Sequence, residues 1–412
     1  MPNIVVQKFG GSSVATAERR EQVIDKIINA INQGYKPVIV VSAIGRKGAP
    51  YATDTLINFA QDVYEAIDPR AKDLLMSCGE VISTVIITQA LRRRGYDAEP
   101  LTGAQASIIT DENFGDTRIK EINARRILDI LEDNKIPVVA GFQGVSESGE
   151  ITTLGRGGSD TTACALGAAL HAEMVEIYTD VEGVMTADPR IVPNAKTLKH
   201  VTYNEVCELA YQGARVLHPR AAEIAMRERV PVIVRSTFSD AQGTVISDAF
   251  KQDDIEIKGD RPVSGVTSRS NMALFKILPQ QEVEEHILLE SASVLGCFRE
   301  LASEGISVDF INVRPDLITF MVNKDVVEEA CGLLTAQEYK YEVFQDFAKI
   351  SVVGAGMTGV PGIMARVVDA LTEAGIAIYQ TTDSHTTISC LIKIEDESKG
   401  LQALHDKFSL GD

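Results

Sequence analysis

Between residue 3 and about residue 245, short apolar runs alternate with stretches in which apolar residues return every three to four positions. The runs IVVQKF (4–9), VIVVSA (38–43), PVVAGF (137–142), MVEIYTDV (174–181) and VPVIVRS (230–236) read as strands buried in a covered sheet. Behind Ser12 and Ser13, the residues Val23, Ile24, Ile27, Ile28 and Ile31 share one face of a 3.6-residue period and predict the first helix. Further helices are expected at about 69–94, 116–133, 159–171, 203–212 and 219–228. Strand and helix in alternation predict a mainly parallel sheet covered on both faces, with ligands at the carboxyl ends of its strands.

After the charged stretch KQDDIEIKGDRP (251–262) the pattern changes and repeats itself. Leu301, Gly305 and Ile306 recur as Leu371, Gly375 and Ile376, an offset of 70, and Ile318–Val322 recurs as Ile388–Ile392 at the same offset. Each copy opens on an apolar strand, MALFKIL (272–278) or AKISVVG (348–354), followed by a helix and further strands, which suggests two βαββαβ modules. The expected domains are therefore 1–250, 263–345 and 346–412, with the last residues free to pack back on the first module. A two-copy repeat of this length is too long for a solenoid and fits a regulatory pair.

Composition narrows the function classes. With 412 residues, 45% of them apolar and 24% charged, the chain fits about two to three globular domains, and collagen-like or disordered readings are excluded. A net charge of −18 without a basic face argues against affinity for nucleic acid or anionic membrane. An anionic substrate stays open, because local cations outweigh distant carboxylates over a Debye length of about 8 Å. No apolar run is read as long enough to span a bilayer, and MPNIVVQKFGG lacks a signal-peptide pattern, so a cytoplasmic location is expected. The six cysteines are scattered without a CxxC, which fits reduced thiols and no metal centre.

Three glycine-containing motifs carry candidate chemistry. Lys8-Phe9-Gly10-Gly11-Ser12-Ser13 lies where the first strand passes into the first helix, so backbone N–H groups and a lysine can meet a phosphate, although the Walker spacing is absent. A plain glycine turn explains Gly10 to Ser13 but not the lysine. Leu154-Gly-Arg-Gly-Gly-Ser-Asp160 precedes a helix of small residues; Arg156 there can grip a carboxylate, while Ser159 and Asp160 can cap the helix or orient a ligand. Thr179-Asp180 ends a strand before Met185-Thr-Ala-Asp-Pro-Arg190, which suits a nucleotide or, taken alone, an ordinary proline turn. Glu80 interrupts an apolar helix, either as a solvated charge or as the partner of a ligand ammonium. His218, before Pro219, reads as a helix-start residue, and no histidine pattern supports a hydrolase or metalloenzyme.

KFGGSSV (8–14), LGRGGSD (154–160) and YTDVEGVMTADPR (178–190), in that order before two repeated modules, resemble the aspartokinases over essentially the whole chain. The resemblance implies an α/β fold: an amino-acid-kinase sheet sandwich followed by two ferredoxin-like ACT modules. It implies catalysis by Lys8 and Asp160, with Lys8 on the transferring phosphoryl, and an aspartate pocket of Thr53, Glu80, Arg156, Ser159 and Asp160. Arg156 would hold the α-carboxylate and Glu80 the ammonium. Lys8, Phe9, Gly10, Gly11, Ser12, Ser42, Thr179, Asp180, Met185, Asp188, Arg190 and Arg215 would line the nucleotide site. The substrates implied are L-aspartate and ATP, with Mg2+ held mainly by the ATP phosphates, and the product is 4-phospho-L-aspartate, the first step toward diaminopimelate, lysine, methionine and threonine.

The loop AIGRKGAPYA (43–52) is longer than the pattern, Met185 replaces a common tyrosine, and Arg215 replaces a common lysine. In the second module Met357, Gly359, Val360, Pro361 and Gly362 form a turn able to present N–H groups to an effector, or simply a tight turn. The loop Thr381-Thr-Asp-Ser-His385-Thr-Thr resembles the diaminopimelate-sensitive subtype, so meso-diaminopimelate is the expected inhibitor, ahead of lysine or threonine. ACT modules imply a homo-oligomer. Rival expectations are a glutamate or acetylglutamate kinase, which the C-terminal repeat disfavours, and a non-catalytic amino-acid sensor, which has no use for Lys8.

Overall fold

The computed structural model describes residues 3–214, 216–248, 262–278, 292–314, 317–357 and 360–412. They divide into two compact units, one drawn from Met1–Met185 and Thr197–Gly259, the other from Thr186–Lys196 and Asp260–Asp412.

The first unit begins β1 (Ile4–Phe9), α1 (Ala17–Asn32), β2 (Lys36–Val41), α2 (Thr53–Gln61), α3 (Pro69–Arg93), β3 (Ala98–Leu101), β4 (Ile108–Thr110), β5 (Ile119–Ile122), α4 (Arg125–Glu132) and β6 (Ile136–Ala140). It continues with β7 (Gln143–Ser146), β8 (Ile151–Thr153), α5 (Gly158–Ala169), β9 (Met174–Thr179), β10 (His200–Val201), α6 (Tyr203–Tyr211), α7 (Pro219–Glu228), β11 (Val232–Ser236) and β12 (Thr244–Ile246). The five apolar runs are β1, β2, β6, β9 and β11 of an eight-stranded sheet ordered β10-β12-β11-β9-β1-β2-β6-β3. Its pairs are parallel except β11 with β12. A four-stranded sheet, β5-β4-β7-β8, lies apart from it in hydrogen bonding.

On α1 the predicted face is buried, with Val23, Ile24 and Ile27 fully so. The cap, however, is Thr16, whose hydroxyl accepts from Arg19 N at 3.3 Å. Ser13 instead shares a buried 2.7 Å hydrogen bond with Thr237. The helix expected at 116–133 is corrected: residues 119–122 form β5, and only Arg125–Glu132 is helical. The Thr117 hydroxyl and N–H both donate to Thr153 O, at 2.8 and 3.0 Å, and draw the chain toward the small sheet. The Asn123 side chain accepts from Arg125 N at 3.1 Å and starts the helix there. A second correction concerns α3, which has the length and composition of a bilayer span. Half of an apolar 18-residue stretch of this helix is buried within the protein, and Asp73, Ser77 and Glu80 are among the buried residues of α3.

The second unit contains β13 (Gly265–Leu278), α8 (Ala292–Ser303), β14 (Asp309–Arg314), β15 (Leu317–Asn323), α9 (Val327–Ala336) and β16 (Lys340–Val353). It closes with α10 (Ile363–Glu373), β17 (Gln380–Asp383), β18 (Thr387–Lys393) and α11 (Glu397–Lys407). The repeat is visible residue for residue. Leu301 and Leu371 are both fully buried, Gly305 and Gly375 both end a helix at φ 74° and 68°, and Ile306 and Ile376 are both 4% exposed.

The two copies share one antiparallel sheet, β14-β15-β13-β16-β18-β17. The expected boundary at 345/346 falls inside β16, and Gly265–Arg269 of β13 pair with Lys349–Val353. The second module is thus built partly from the first module's opening strand. Phe408 and Leu410 join the core of Ile350, Val352, Leu371 and Leu404, which also takes in Val263 and Val266 from the start of the first module, together with Ala187 and Val192.

Candidate active site

The strands β1, β2, β6 and β9 are parallel neighbours, so their carboxyl ends open on one side of the sheet. There a cavity of about 290 Å³ gathers Lys8, Gly11, Ser42, Thr53, Glu80, Arg156, Ser159 and Asp160. Lys8 reaches it from the end of β1 and forms a 2.7 Å ion pair with Asp160 in the first turn of α5, both largely buried. Gly11 holds the β1–α1 turn against the next loop: a Cβ there would lie 2.5 Å from the carbonyl oxygens of Ala43 and Gly45.

The loop before α5 shows why three glycines surround Arg156. Gly155 and Gly157 lie at φ 71° and 72°, and a Cβ on Gly157 would strike the His218 ring. Gly157 is the N-cap of α5 and offers no side-chain cap, which leaves the helix N-terminus to an anion. Arg156 is exposed and makes no ion pair among the described residues. His218 is the N-cap residue of α7, as the sequence predicted, with its Nδ1 buried and without a hydrogen-bond partner among the described residues. Burial holds its pKa below the ordinary value.

Glu80 is only 3% exposed and so is no solvated charge. Its Oε1 accepts from Ala43 N at 3.1 Å, and its Oε2 has no partner among the described residues. Burial pushes its carboxyl up to about 8. A ligand cation would supply what Oε2 lacks.

Other expected site residues are placed differently. The Phe9 side chain is fully buried and stacks on Tyr178 at 4.7 Å, so only its backbone is available to a nucleotide. Gly10 lies beside Lys8 Nζ, and Ser12 O accepts from Arg19 at 2.9 Å. Thr179 donates to Asp180 at 3.2 Å, and Asp180 pairs with Arg46 at 2.6 Å. Met185 forms a bridge with Thr197. Asp188 and Arg190 belong to the second unit, where the Arg190 guanidinium donates to Asp188 at 2.6 Å and lowers its pKa. Arg215 and Gly359 lie outside the described residues. In the turn expected to meet an effector, Met357 is buried in the core, Val360 and Pro361 are exposed, and Gly362 caps α10 at φ 91°. Arg46 and Lys47, which also line the cavity, were missed; the signal was two bases between glycines in the long loop after β2.

Residues 3–236 match the amino acid kinase family, and residues 342–406 match an ACT domain. Aspartokinase 1 of Bacillus subtilis is 45% identical over 410 residues, covering 99% of each chain. The chain belongs to the aspartokinases. Among solved structures, E. coli aspartokinase III in complex with aspartate and ADP (R-state) is similar at a TM-score of 0.80 and 26% identity, over 98% of this chain and 99% of that one. The same enzyme with lysine and aspartate (T-state) gives a TM-score of 0.74 at 25% identity, over 98% of this chain and 99% of that one. This aspartokinase is a phosphotransferase that moves the γ-phosphoryl of ATP to the side-chain carboxylate of L-aspartate, the regulated first step of its pathway.

Proposed function

We propose that the cavity between β1, α3 and α5 is where aspartate meets ATP in this aspartokinase. One observation carries the reading: a lysine, an exposed arginine and a buried glutamate, the last two each with an atom left unpartnered among the described residues, converge on one pocket of amino-acid size. Arg156 takes the α-carboxylate, Glu80 takes the ammonium, and Thr53 and Ser159 close the sides. The β-carboxylate then faces Lys8. It attacks the γ-phosphorus in line, forming the new O–P bond as the bond to ADP breaks. A carboxylate is already ionised and needs no base, so the work is to bring two anions together. Lys8, oriented by Asp160, and the N–H groups of Gly10, Gly11 and Ser12 neutralise the phosphoryl oxygens. Ser42, Thr179, Asp180 and Met185 serve the nucleotide.

Mg2+ would be held mainly by the nucleotide phosphates, whose charge it would partly offset. For regulation we propose meso-diaminopimelate at the turn Met357–Gly362, where Gly362 leaves the N-terminus of α10 without a side-chain cap, and a homo-oligomer built through the ACT modules. E. coli aspartokinase III has been solved with lysine, which supports an amino acid as the class of effector.

The test is acyl-phosphate formation trapped as the hydroxamate, with Mg·ATP and L-aspartate, alone or with meso-diaminopimelate, lysine or threonine. Turnover suppressed by meso-diaminopimelate is expected. Suppression by lysine or threonine alone overturns the effector assignment, and turnover on glutamate equal to that on aspartate overturns the pocket.

A further inference from the structure

The deepest carboxylate in the first unit lies outside the pocket. Asp73 on α3 is fully buried and meets no Lys, Arg or His among the described residues. It is held by three donors instead: Thr153 N at 2.7 Å, Thr153 Oγ1 at 2.7 Å and Gly115 N at 3.1 Å. A buried carboxylate is costly, and its charge-assisted hydrogen bonds fix backbone more stiffly than neutral ones. Thr153 is the residue before Leu154, where the Arg156 loop begins. Asp73 precedes Glu80 by two helical turns, about 10 Å along α3.

A second clamp closes the loop from the other side. Arg220, on the first turn of α7, donates to Leu154 O at 2.7 Å and pairs with Asp116 at 2.5 Å. Gly155 fits directly against that aspartate: a Cβ there would lie 2.6 Å from its Oδ1. Thr117 joins the two clamps, donating to Thr153 O at 2.8 Å and accepting from Arg220 at 3.5 Å.

We infer that Asp73, with Arg220 as its counterpart, is a positioning residue for substrate recognition: it fixes the Arg156 loop against the helix that carries Glu80, and so sets the spacing between the groups that take the two ends of the amino acid. The inference rests on the aspartate pocket proposed above. Asp73→Asn keeps the shape but removes the charge and turns one of the two acceptor oxygens, the one that meets the Thr153 hydroxyl, into a donor, and Arg220→Lys keeps the charge but loses the two-point fork.

In the full-length protein both variants are expected to raise KM for aspartate about tenfold, with KM for ATP and kcat within about twofold of wild type, because a small misplacement of a binding loop acts on the ligand it holds. A folded Asp73→Asn with unchanged KM for aspartate, or with KM for ATP raised equally, overturns the role. If Asp73→Asn does not fold, Arg220→Lys carries the same test. Arg156→Ala separates the two failures. An unchanged KM for aspartate in that variant strikes the pocket itself, whereas a raised one beside an unchanged Asp73→Asn strikes only the positioning role.

Discussion

Glu80 ionises near 4.5 as a free side chain and at about 8 in its buried place. Between those values the folded state holds a proton that the unfolded chain has released, so this group's contribution to stability is complete below about 4.5 and is lost as pH rises through about 8. Glu80→Gln is expected to remove that slope and to leave the ligand-free protein more stable than wild type at alkaline pH, as thermal unfolding across pH will show. Binding runs the opposite way. An ammonium needs the ionised carboxylate, so KM for aspartate should fall about tenfold per pH unit on approaching pH 8 from below, and Glu80→Gln should abolish the trend. An identical trend in both proteins would remove Glu80 from the ammonium site. Lys8 and Arg156, which line the cavity, were legible in the sequence because a charge set close to glycines has few structural uses. Arg46 was not, because a base in a long loop has many.

At the scale of the element, the turn after β1 depends on close backbone approach. Gly11→Ala places a methyl 2.5 Å from two carbonyl oxygens, and is expected to cost about 1–3 kcal/mol in denaturant unfolding and to raise KM for ATP. Unchanged values would mean that the loop yields freely. The long buried strands were readable from their apolar runs, since β1, β2, β6, β9 and β11 are five or six residues each. The small sheet was not, since β4 and β8 have only three residues and show no period to read. Its edge strand β5 was absorbed into a helix because the pull of Thr153 on Thr117 is a contact between residues far apart in sequence.

On the scale of the whole molecule, the chain leaves the kinase unit after Met185 and re-enters it at Thr197. The excursion puts Val192, fully buried, and Ala187, 5% exposed, into the regulatory core. Thr186 bonds to the buried His405 at 2.9 Å, and Asn194 accepts from Gln402 at 3.0 Å. Asp188 and Arg190, which motif reading gives to the nucleotide, lie within this excursion. A chain ending at residue 248 should therefore expose this segment, and limited proteolysis is expected to cut within 186–196 there and to spare it in the full-length protein. Equal cutting in both would show that the ACT core does not hold it.

The division of labour in the pocket is the central claim, and steady-state kinetics of two variants test it most directly. Lys8→Ala is expected to lower kcat about a hundred- to a thousandfold with little change in KM for aspartate, since Lys8 faces charge that moves in the transition state. Arg156→Ala is expected to raise KM for aspartate with a much smaller change in kcat. Equal effects of the two substitutions on both parameters would contradict the account.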